Sequence, residues 1–252
     1  MSGPAIDLVG AVALSGGFPV LAGADLRVER GEVVALAGAN GAGKTSLLRA
    51  CAGLLRVVRG RAEVLGADLV AEPRAVRRRV GLLGHTGGLY DDLRVREQVE
   101  FAVRAAGGRG GAVAERADAA LVALGLTGRL ATTSVAGLSA GQRRRVALAV
   151  LVARDPELWL LDEPHAGLDA EHRDLLDGIV RAAAAGGATV VIASHELDRV
   201  AALADRRVTV AGGVVTASSA ADARGAGTRT DGTAEPGGAT RPGVARGTSH
   251  VA

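Results

Sequence analysis

Residues 38–45 of this 252-residue chain read GANGAGKT and combine glycines, a lysine and a threonine at a spacing suited to phosphate. They fit the pattern G-x-x-x-x-G-K-[ST], in which glycines let successive backbone N–H groups surround a polyphosphate. Lys44, the only lysine of the chain, would neutralise the β and γ phosphates, and Thr45 would offer its hydroxyl to Mg²⁺. The predicted nucleotide-binding residues of this loop are Gly38, Asn40, Gly41, Ala42, Gly43, Lys44, Thr45 and Ser46.

The segments on either side of this loop are those that a phosphate loop requires. Residues 33–37 form a continuous apolar run, which is typical of a strand buried on both faces of a parallel sheet. A helix predicted over residues 45–54 follows, so its positive N-terminal end would also face the anion. A glycine-rich turn alone could bind nothing, but the strand before it and the helix after it favour nucleotide binding.

Two adjacent acids follow a second apolar run, in the segment ELWLLDEP at residues 157–164. An acid at the carboxyl end of a strand lies over the crevice where open α/β folds bind ligands. Asp162 suits Mg²⁺, directly or through water, and Glu163 could polarise the water that attacks the γ-phosphate. Taken singly, either acid could equally be a surface charge or a helix cap.

A third motif, LSAGQ at residues 138–142, lies at the predicted start of a helix over residues 138–152. Serine and glycine at a helix start can donate hydroxyl and N–H bonds to a phosphate, although a helix cap alone would explain Ser139. In chain order, GANGAGKT, LSAGQ, LLDEP, AGLD and a final His195 resemble the motifs of the ATP-binding cassette family. The resemblance covers roughly residues 6–215, whereas a phosphate loop alone would leave kinases and GTPases open.

The family resemblance implies a head-to-tail dimer with two composite ATP sites. Ser139, Gly141 and Gln142 of one subunit would close over the ATP held by Lys44 of the other. Asp169 would cross the interface, and His195 would contact the γ-phosphate. Glu163 would orient the attacking water. The cofactors that the resemblance implies are ATP and Mg²⁺.

Two positions depart from the family pattern. The family usually has an aromatic residue for adenine stacking about where Ser15 lies, and the nearest aromatic here is Phe18, which could stack on adenine or pack in the core. The loop after residues 80–83 usually carries glutamine, and this chain has His85. We expect His85 to keep the coupling role with less direct contact to Mg²⁺ or water, the alternative being a histidine that only caps its strand.

The order of predicted elements indicates an α/β fold. We expect a P-loop NTPase with a mostly parallel sheet, an antiparallel β layer at the N-terminus and an all-helical insert at about residues 90–137. Aromatic residues make up only 2% of the chain, so the core must consist of Val, Leu, Ile and Ala. The ATPase domain is predicted over residues 1–216. Residues 217–252 are rich in Ala, Gly, Ser, Thr, Arg and Pro and are predicted to be disordered.

Charge and composition bear on partners and location. The net charge is +3, and no aromatic residues alternate with the basic ones, so we expect no nucleic acid partner. The basic segment at residues 73–79, predicted as a short helix, is interpreted as a solvated face or a set of salt bridges, and Arg143–Arg145 as helix surface and partner contact.

A single cysteine excludes an intrachain disulfide. The absence of a signal peptide or spanning segment predicts a cytoplasmic protein, held at the inner face of the membrane by a partner.

These observations predict the ATP-hydrolysing subunit of a membrane exporter, working as a homodimer or heterodimer with an integral membrane subunit. The fragments LGH at residues 83–85 and LSAGQRRRVALA resemble the ATPase of the haem exporter of cytochrome c maturation. The alternatives are an exporter of drugs, antibiotics or lipids, and a soluble cassette ATPase acting on ribosomes or DNA. A phosphate-loop kinase is disfavoured by LSAGQ.

Overall fold

The computed structural model describes residues 3–84 and 88–220, and the side chains up to residue 216. His85 and most of the predicted tail therefore lie outside the described residues. The strands are β1 (Ile6–Ser15), β2 (Phe18–Val28), β3 (Val33–Ala37), β4 (Arg56–Val64), β5 (Ala67–Asp68), β6 (Val80–Leu83), β7 (Leu158–Asp162), β8 (Thr189–Ala193), β9 (Arg206–Ala211) and β10 (Val214–Ala220). The helices are α1 (Lys44–Cys51), α2 (Val95–Ala105), α3 (Ala112–Ala123), α4 (Arg129–Thr132), α5 (Ala140–Arg154), α6 (Ala170–Ala185) and α7 (Leu197–Ala201).

The larger sheet has six strands in the order β10-β9-β3-β8-β7-β6. All neighbouring strands from β9 to β6 run parallel, and β10 returns antiparallel to β9. Every residue of β3, β7 and β8 is buried, as their continuous apolar runs predict. Parallel strands end at one edge, so this order brings the loops after β3, β7 and β8 together there.

The second sheet is antiparallel, in the order β2-β1-β4-β5. It confirms the predicted N-terminal antiparallel β layer, which has four strands. Successive residues of a strand point to opposite faces, and this divides the core in two. Leu158 and Leu160 of β7 pack with the antiparallel sheet and α1, whereas Trp159 and Leu161 pack with the helices on the other face.

The predicted helical insert lies between β6 and β7 and consists of α2, α3, α4 and a short 3₁₀ helix at Val135–Gly137. Val95, Val99 and Val103 recur at helical spacing on α2, and all three are buried. Beyond its C-terminal end, Gly107 has a φ of 107°, which L-amino acids with a side chain rarely adopt. Among residues 3–84 and 88–220, no helix is long and apolar enough to span a bilayer.

Two sequence predictions of local structure are wrong. Residues 73–79 form consecutive turns with i→i−3 hydrogen bonds and not a helix. Arg77 donates to the Gly53 carbonyl, and Arg79 donates to Leu65 and to Glu157, so part of the basic run does form salt bridges. The predicted domain boundary at residue 216 falls inside β10, which pairs with β9 as far as Ala220.

Candidate functional site

The phosphate loop connects β3 to α1 and contains two positions, Gly38 and Gly43, that only glycine can occupy without a clash or backbone strain. Gly38 has a φ of 146°, and a Cβ there would lie 2.3 Å from the carbonyl oxygen of Val210. Gly43 has a φ of 108°, and a Cβ there would lie 3.0 Å from the Cα of Gly213. The Gly213 N–H donates to the Ala42 carbonyl at 2.9 Å. The turn between β9 and β10 therefore packs against the phosphate loop and fixes its position.

The Lys44 side chain folds over this loop. It is 8% exposed, and its Nζ donates to the carbonyl oxygens of Gly38 at 2.7 Å and Ala39 at 3.1 Å. Both acceptors are neutral, so they leave the charge of the ammonium group uncompensated. A cation held this way at the start of α1, beside a glycine-rich loop, suits a polyphosphate.

The residues predicted for Mg²⁺ lie in contact. The Thr45 hydroxyl donates to Asp162 Oδ2 at 2.8 Å, and Asp162, the last residue of β7, is 7% exposed. Hydroxyl and carboxylate oxygens are the hard ligands that Mg²⁺ prefers, and this ion usually takes only one or two protein ligands beside phosphates and water. Consistent with that, the described residues hold no group of three or more His, Cys, Asp or Glu suited to a metal. The two side chains fit Mg²⁺.

Glu163 and His195 are brought together at the same edge of the sheet. His195 Nδ1 lies 2.9 Å from Glu163 Oε2, and the backbone N–H of His195 donates to the same oxygen at 3.3 Å. Glu163 has a φ of 47°, a conformation that strains a residue with a side chain, and its N–H donates to the Ala193 carbonyl at 2.8 Å. This backbone turn directs the carboxylate toward the end of β8 and away from the core. A carboxylate paired with imidazole can accept a proton from water.

The LSAGQ segment begins α5 with a capping box. Ser139 Oγ accepts from the Gln142 N–H at 3.2 Å, and Gln142 Oε1 accepts from the Ser139 N–H at 2.9 Å. The cap interpretation of Ser139 is thus correct, and it leaves the hydroxyl proton free to donate elsewhere. A Cβ on Gly141 would lie 3.4 Å from the Gly167 carbonyl, so the segment AGLD packs beside LSAGQ.

Asp169 caps α6 and is exposed. Its Oδ1 accepts from the His172 N–H at 2.9 Å and lies 2.6 Å from His172 Nδ1. These bonds, the backbone one first, hold the pKa of the Asp169 carboxyl below its usual range. The side chain is 68% exposed. A residue that crosses a subunit interface would have to be exposed in this way in a single subunit.

A cleft of about 580 Å³ joins the phosphate loop to the two acids. Its walls are Pro19, Val20, Asn40, Gly41, Ala42, Gly43, Lys44, Thr45, Ser46, Asp162, Glu163, Gly212 and Gly213. The lining includes neither Ser139 nor Asp169, which lie in the neighbouring segments already described. Phe18 does not line it either and is 76% exposed, so the alternative that Phe18 packs in the core is wrong. Next to Phe18, Pro19 and Val20 form the wall beside the loop.

Arg144 was missed by the sequence analysis, which took Arg143–Arg145 as helix surface. It is only 9% exposed, and its guanidinium donates to the carbonyl oxygens of Gly84, Asp162, Glu163 and Pro164. Burial lowers its pKa, and the negative charges of Asp162 and Glu163 oppose that shift. A signal was available, because Arg144 is in helical register with the buried residues Leu148 and Leu151.

A second missed group surrounds His165. This residue is 1% exposed, and its Nε2 lies 2.8 Å from Asp177 Oδ1. Asp177 Oδ2 accepts from Arg199 at 2.6 Å, so the loop after β7, helix α6 and helix α7 are joined by buried polar contacts. His165 Nδ1 is buried without a hydrogen-bond partner among the described residues.

Comparison with known proteins gives consistent results. The family model described as ABC transporter matches residues 21–166. The daunorubicin resistance ATP-binding protein DrrA3 of Streptomyces coeruleorubidus is 40% identical over 229 residues, covering 88% of this chain and 70% of the relative. The cytochrome c biogenesis ATP-binding export protein CcmA of Bordetella bronchiseptica is 44% identical over 175 residues, covering 68% of this chain and 75% of the relative.

Solved structures agree with these relatives. The ATP-binding subunit of an ABC transporter has a TM-score of 0.80 at 28% identity, covering 88% of this chain and 95% of that one. A dimeric ATP-binding cassette in a post-hydrolysis state, bound to ADP and Pi, has a TM-score of 0.78 at 25% identity and covers 87% and 99%. With the phosphate loop, the acids and the LSAGQ segment in one arrangement, the chain belongs to the ABC transporter family of ATP-binding cassettes.

Proposed function

We propose that this chain is the ATP-hydrolysing subunit of a membrane exporter and that it works as a dimer. One observation carries the proposal. Lys44, Thr45, Asp162 and Glu163 line one cleft, whereas Ser139 and Asp169 lie outside it and are tied only to their own helix starts. The cleft thus contains one half of the residues predicted for the nucleotide site, and Ser139 and Asp169 of the other half do not line it. A dimeric arrangement, as in the similar cassette bound to ADP and Pi, would bring the two halves together.

In this site each side chain has a separate task. Lys44 would exchange the carbonyls of Gly38 and Ala39 for phosphate oxygens. Thr45 and Asp162 would hold Mg²⁺, which when bound neutralises phosphate charge. Glu163 would accept a proton from the attacking water. His195, whose Nδ1 already faces Glu163, would direct its other nitrogen at the γ-phosphate.

Partners and location follow from the same proposal. The dimer is formed by two copies of this chain or by one copy and a similar ATPase. An integral membrane subunit carries the translocation path and holds the dimer at the cytoplasmic face of the membrane, without nucleic acid. His85, although outside the described residues, directly follows Gly84, whose carbonyl accepts from Arg144, and we propose that it acts in coupling to this subunit.

The cargo is proposed from the relatives. One group acts in cytochrome c biogenesis, which agrees with the LGH and LSAGQRRRVALA fragments and favours haem export. The other confers daunorubicin resistance and matches more of the chain, which favours a drug exporter. The complex purified with its membrane subunit should show ATP turnover stimulated by haem in the first case and by daunorubicin in the second. If ribosomes or DNA stimulate turnover and no membrane subunit copurifies, the exporter proposal fails.

The test of the ATPase proposal is Glu163→Gln, which keeps the size of the side chain but removes the base. Turnover should fall at least about 100-fold, because general base catalysis contributes that much. ATP affinity should be kept, and ATP should trap a dimer visible by light scattering. Glu157→Gln is the matched control, since Glu157 precedes the same strand but pairs at the surface with Arg79. Turnover near wild type in Glu163→Gln would refute the role of Glu163.

A further inference from the structure

Within the part of the chain that the structure describes, Arg144 donates only to main-chain carbonyls, and these include the carbonyls of both acids of the candidate site. Its Nη1 donates to Gly84 at 2.8 Å, and its Nη2 donates to Glu163 at 2.6 Å and to Asp162 at 3.2 Å. Its Nε donates to Pro164 at 3.3 Å. One guanidinium therefore spans the end of β6, the end of β7 and the turn after it.

The same residue belongs to the helix that LSAGQ begins. Ser139 caps α5, and Arg144 lies little more than one turn further along that helix. A shift of the first turn of α5 must therefore either move the backbone of Asp162 and Glu163 or break buried hydrogen bonds. Breaking them is unfavourable because the guanidinium is desolvated.

The contacts also leave the catalytic side chains available. The Asp162 carboxylate bonds to Thr45, and the Glu163 carboxylate bonds to His195, so Arg144 holds their backbone without occupying their oxygens. The planar fork of arginine can reach several acceptors at once, whereas the ammonium group of lysine cannot reproduce this geometry.

We propose that Arg144 is a positioning residue that couples LSAGQ to the catalytic acids of its own subunit. This inference rests on the proposed dimer, in which LSAGQ closes over the nucleotide of the other subunit. Closure on that nucleotide moves α5, and Arg144 passes the movement to Glu163 in its own site. Binding at one site thereby aligns the water-activating residue at the other.

The test compares Arg144→Lys with Arg154→Lys. Arg154 lies at the other end of α5, and burial lowers its pKa as well. It donates to the carbonyls of Arg77 and Val80, away from the acids, so it controls for the loss of a buried guanidinium. Three quantities are measured for each variant: kcat, the KM for ATP, and ATP-dependent dimer formation in the Glu163→Gln background.

Arg144→Lys should lower kcat by about 10- to 100-fold, the range expected for a misplaced catalytic group. Its KM should stay within about two-fold, and ATP should still drive dimer formation, because the phosphate loop and LSAGQ are intact. Arg154→Lys should lower the melting temperature while leaving kcat unchanged.

Several results would overturn the inference. Wild-type kcat in Arg144→Lys would show that the contacts have no role in turnover. Equal losses of kcat in Arg144→Lys and Arg154→Lys, or loss of the dimer together with kcat, would indicate a structural role only. If the wild-type protein shows neither ATP turnover nor dimer formation, the proposed function is wrong, and this inference fails with it. If the wild-type protein shows both and Arg144→Lys behaves like wild type, only the inference is wrong.

Discussion

The phosphate loop and the LSAGQ segment are built in opposite ways. Lys44 and Asp162 are nearly buried, and the contacts around them join segments far apart in the chain, such as Gly38 with Val210 and Thr45 with Asp162. Around LSAGQ, the polar contacts of Ser139 and Gln142 are with each other, three residues apart. Long-range packing thus fixes one half of the site before any ligand arrives. The LSAGQ segment needs only a helix start. The surface on which we propose that it closes belongs to the second subunit of the dimer.

This contrast has a consequence for mutants. A change at a packed glycine of the phosphate loop, Gly38 or Gly43, should damage both the fold and the binding of nucleotide, because the backbone there lies against distant segments. A change in LSAGQ should leave the isolated subunit intact and affect only what requires closure. The predictions below test this difference.

The largest effect is expected for Gly38→Ala. A Cβ would meet the Val210 carbonyl at 2.3 Å, at a φ of 146° that alanine does not tolerate. We expect the melting temperature to fall by about 10 °C or more, as for a loss of several kcal/mol in a domain of this size. Differential scanning calorimetry without nucleotide measures it. An unchanged melting temperature would contradict the packing described for this loop.

Lys44→Ala should come next, with an effect on nucleotide alone. The side chain bonds only to two neutral carbonyls in its own loop, so its loss should change the melting temperature little. ATP affinity should fall about 100-fold, since charge-assisted bonds to phosphate contribute about 1.5–3 kcal/mol each. Isothermal titration calorimetry gives the affinity, with Arg49→Ala, in the last turn of α1, as the control. Unchanged affinity would exclude Lys44 from the phosphate site.

Gly141→Ala is the counterpart of Gly38→Ala in the other half. A Cβ there would lie 3.4 Å from the Gly167 carbonyl, an ordinary contact, and alanine favours the helix by up to about 1 kcal/mol. The melting temperature should therefore stay the same or rise slightly. ATP-dependent dimer formation and turnover should nevertheless fall, because the methyl group would occupy the surface that we propose meets the other subunit. If Gly141→Ala destabilises the monomer as Gly38→Ala does, the contrast fails.

The smallest effect is expected for removal of residues 221–252. Their composition predicts no core, so the melting temperature should stay within about 1 °C of the full chain. A longer truncation from residue 217 provides the comparison, because it also removes residues that β10 pairs with β9. It should lower the melting temperature by a few degrees. A large fall in the shorter truncation would show that the tail packs on the domain.

Sequence patterns predicted those parts of the molecule that depend on neighbouring residues. The apolar runs of β3 and β7 and the cap of α5 by Ser139 follow from local rules. Arg144 was missed because its partners lie 18 to 60 residues away. Its helical register with Leu148 and Leu151 indicates that it turns inward, but it does not identify those partners. His165 was missed for the same reason, since Asp177 contacts it, and Arg199 contacts Asp177, only through the packing of α6 and α7.

Trp159 gives the molecule an optical property of its own. It is the only tryptophan of the chain, is 3% exposed, and donates its Nε1–H to the Pro156 carbonyl at 3.0 Å. Its emission therefore comes from a single dry environment on β7, three residues before Asp162. Tryptophan fluorescence of the unlabelled protein therefore reports on the strand that carries the acids. Spectral changes on adding nucleotide can accordingly be assigned to the central sheet and the helices packed on Trp159.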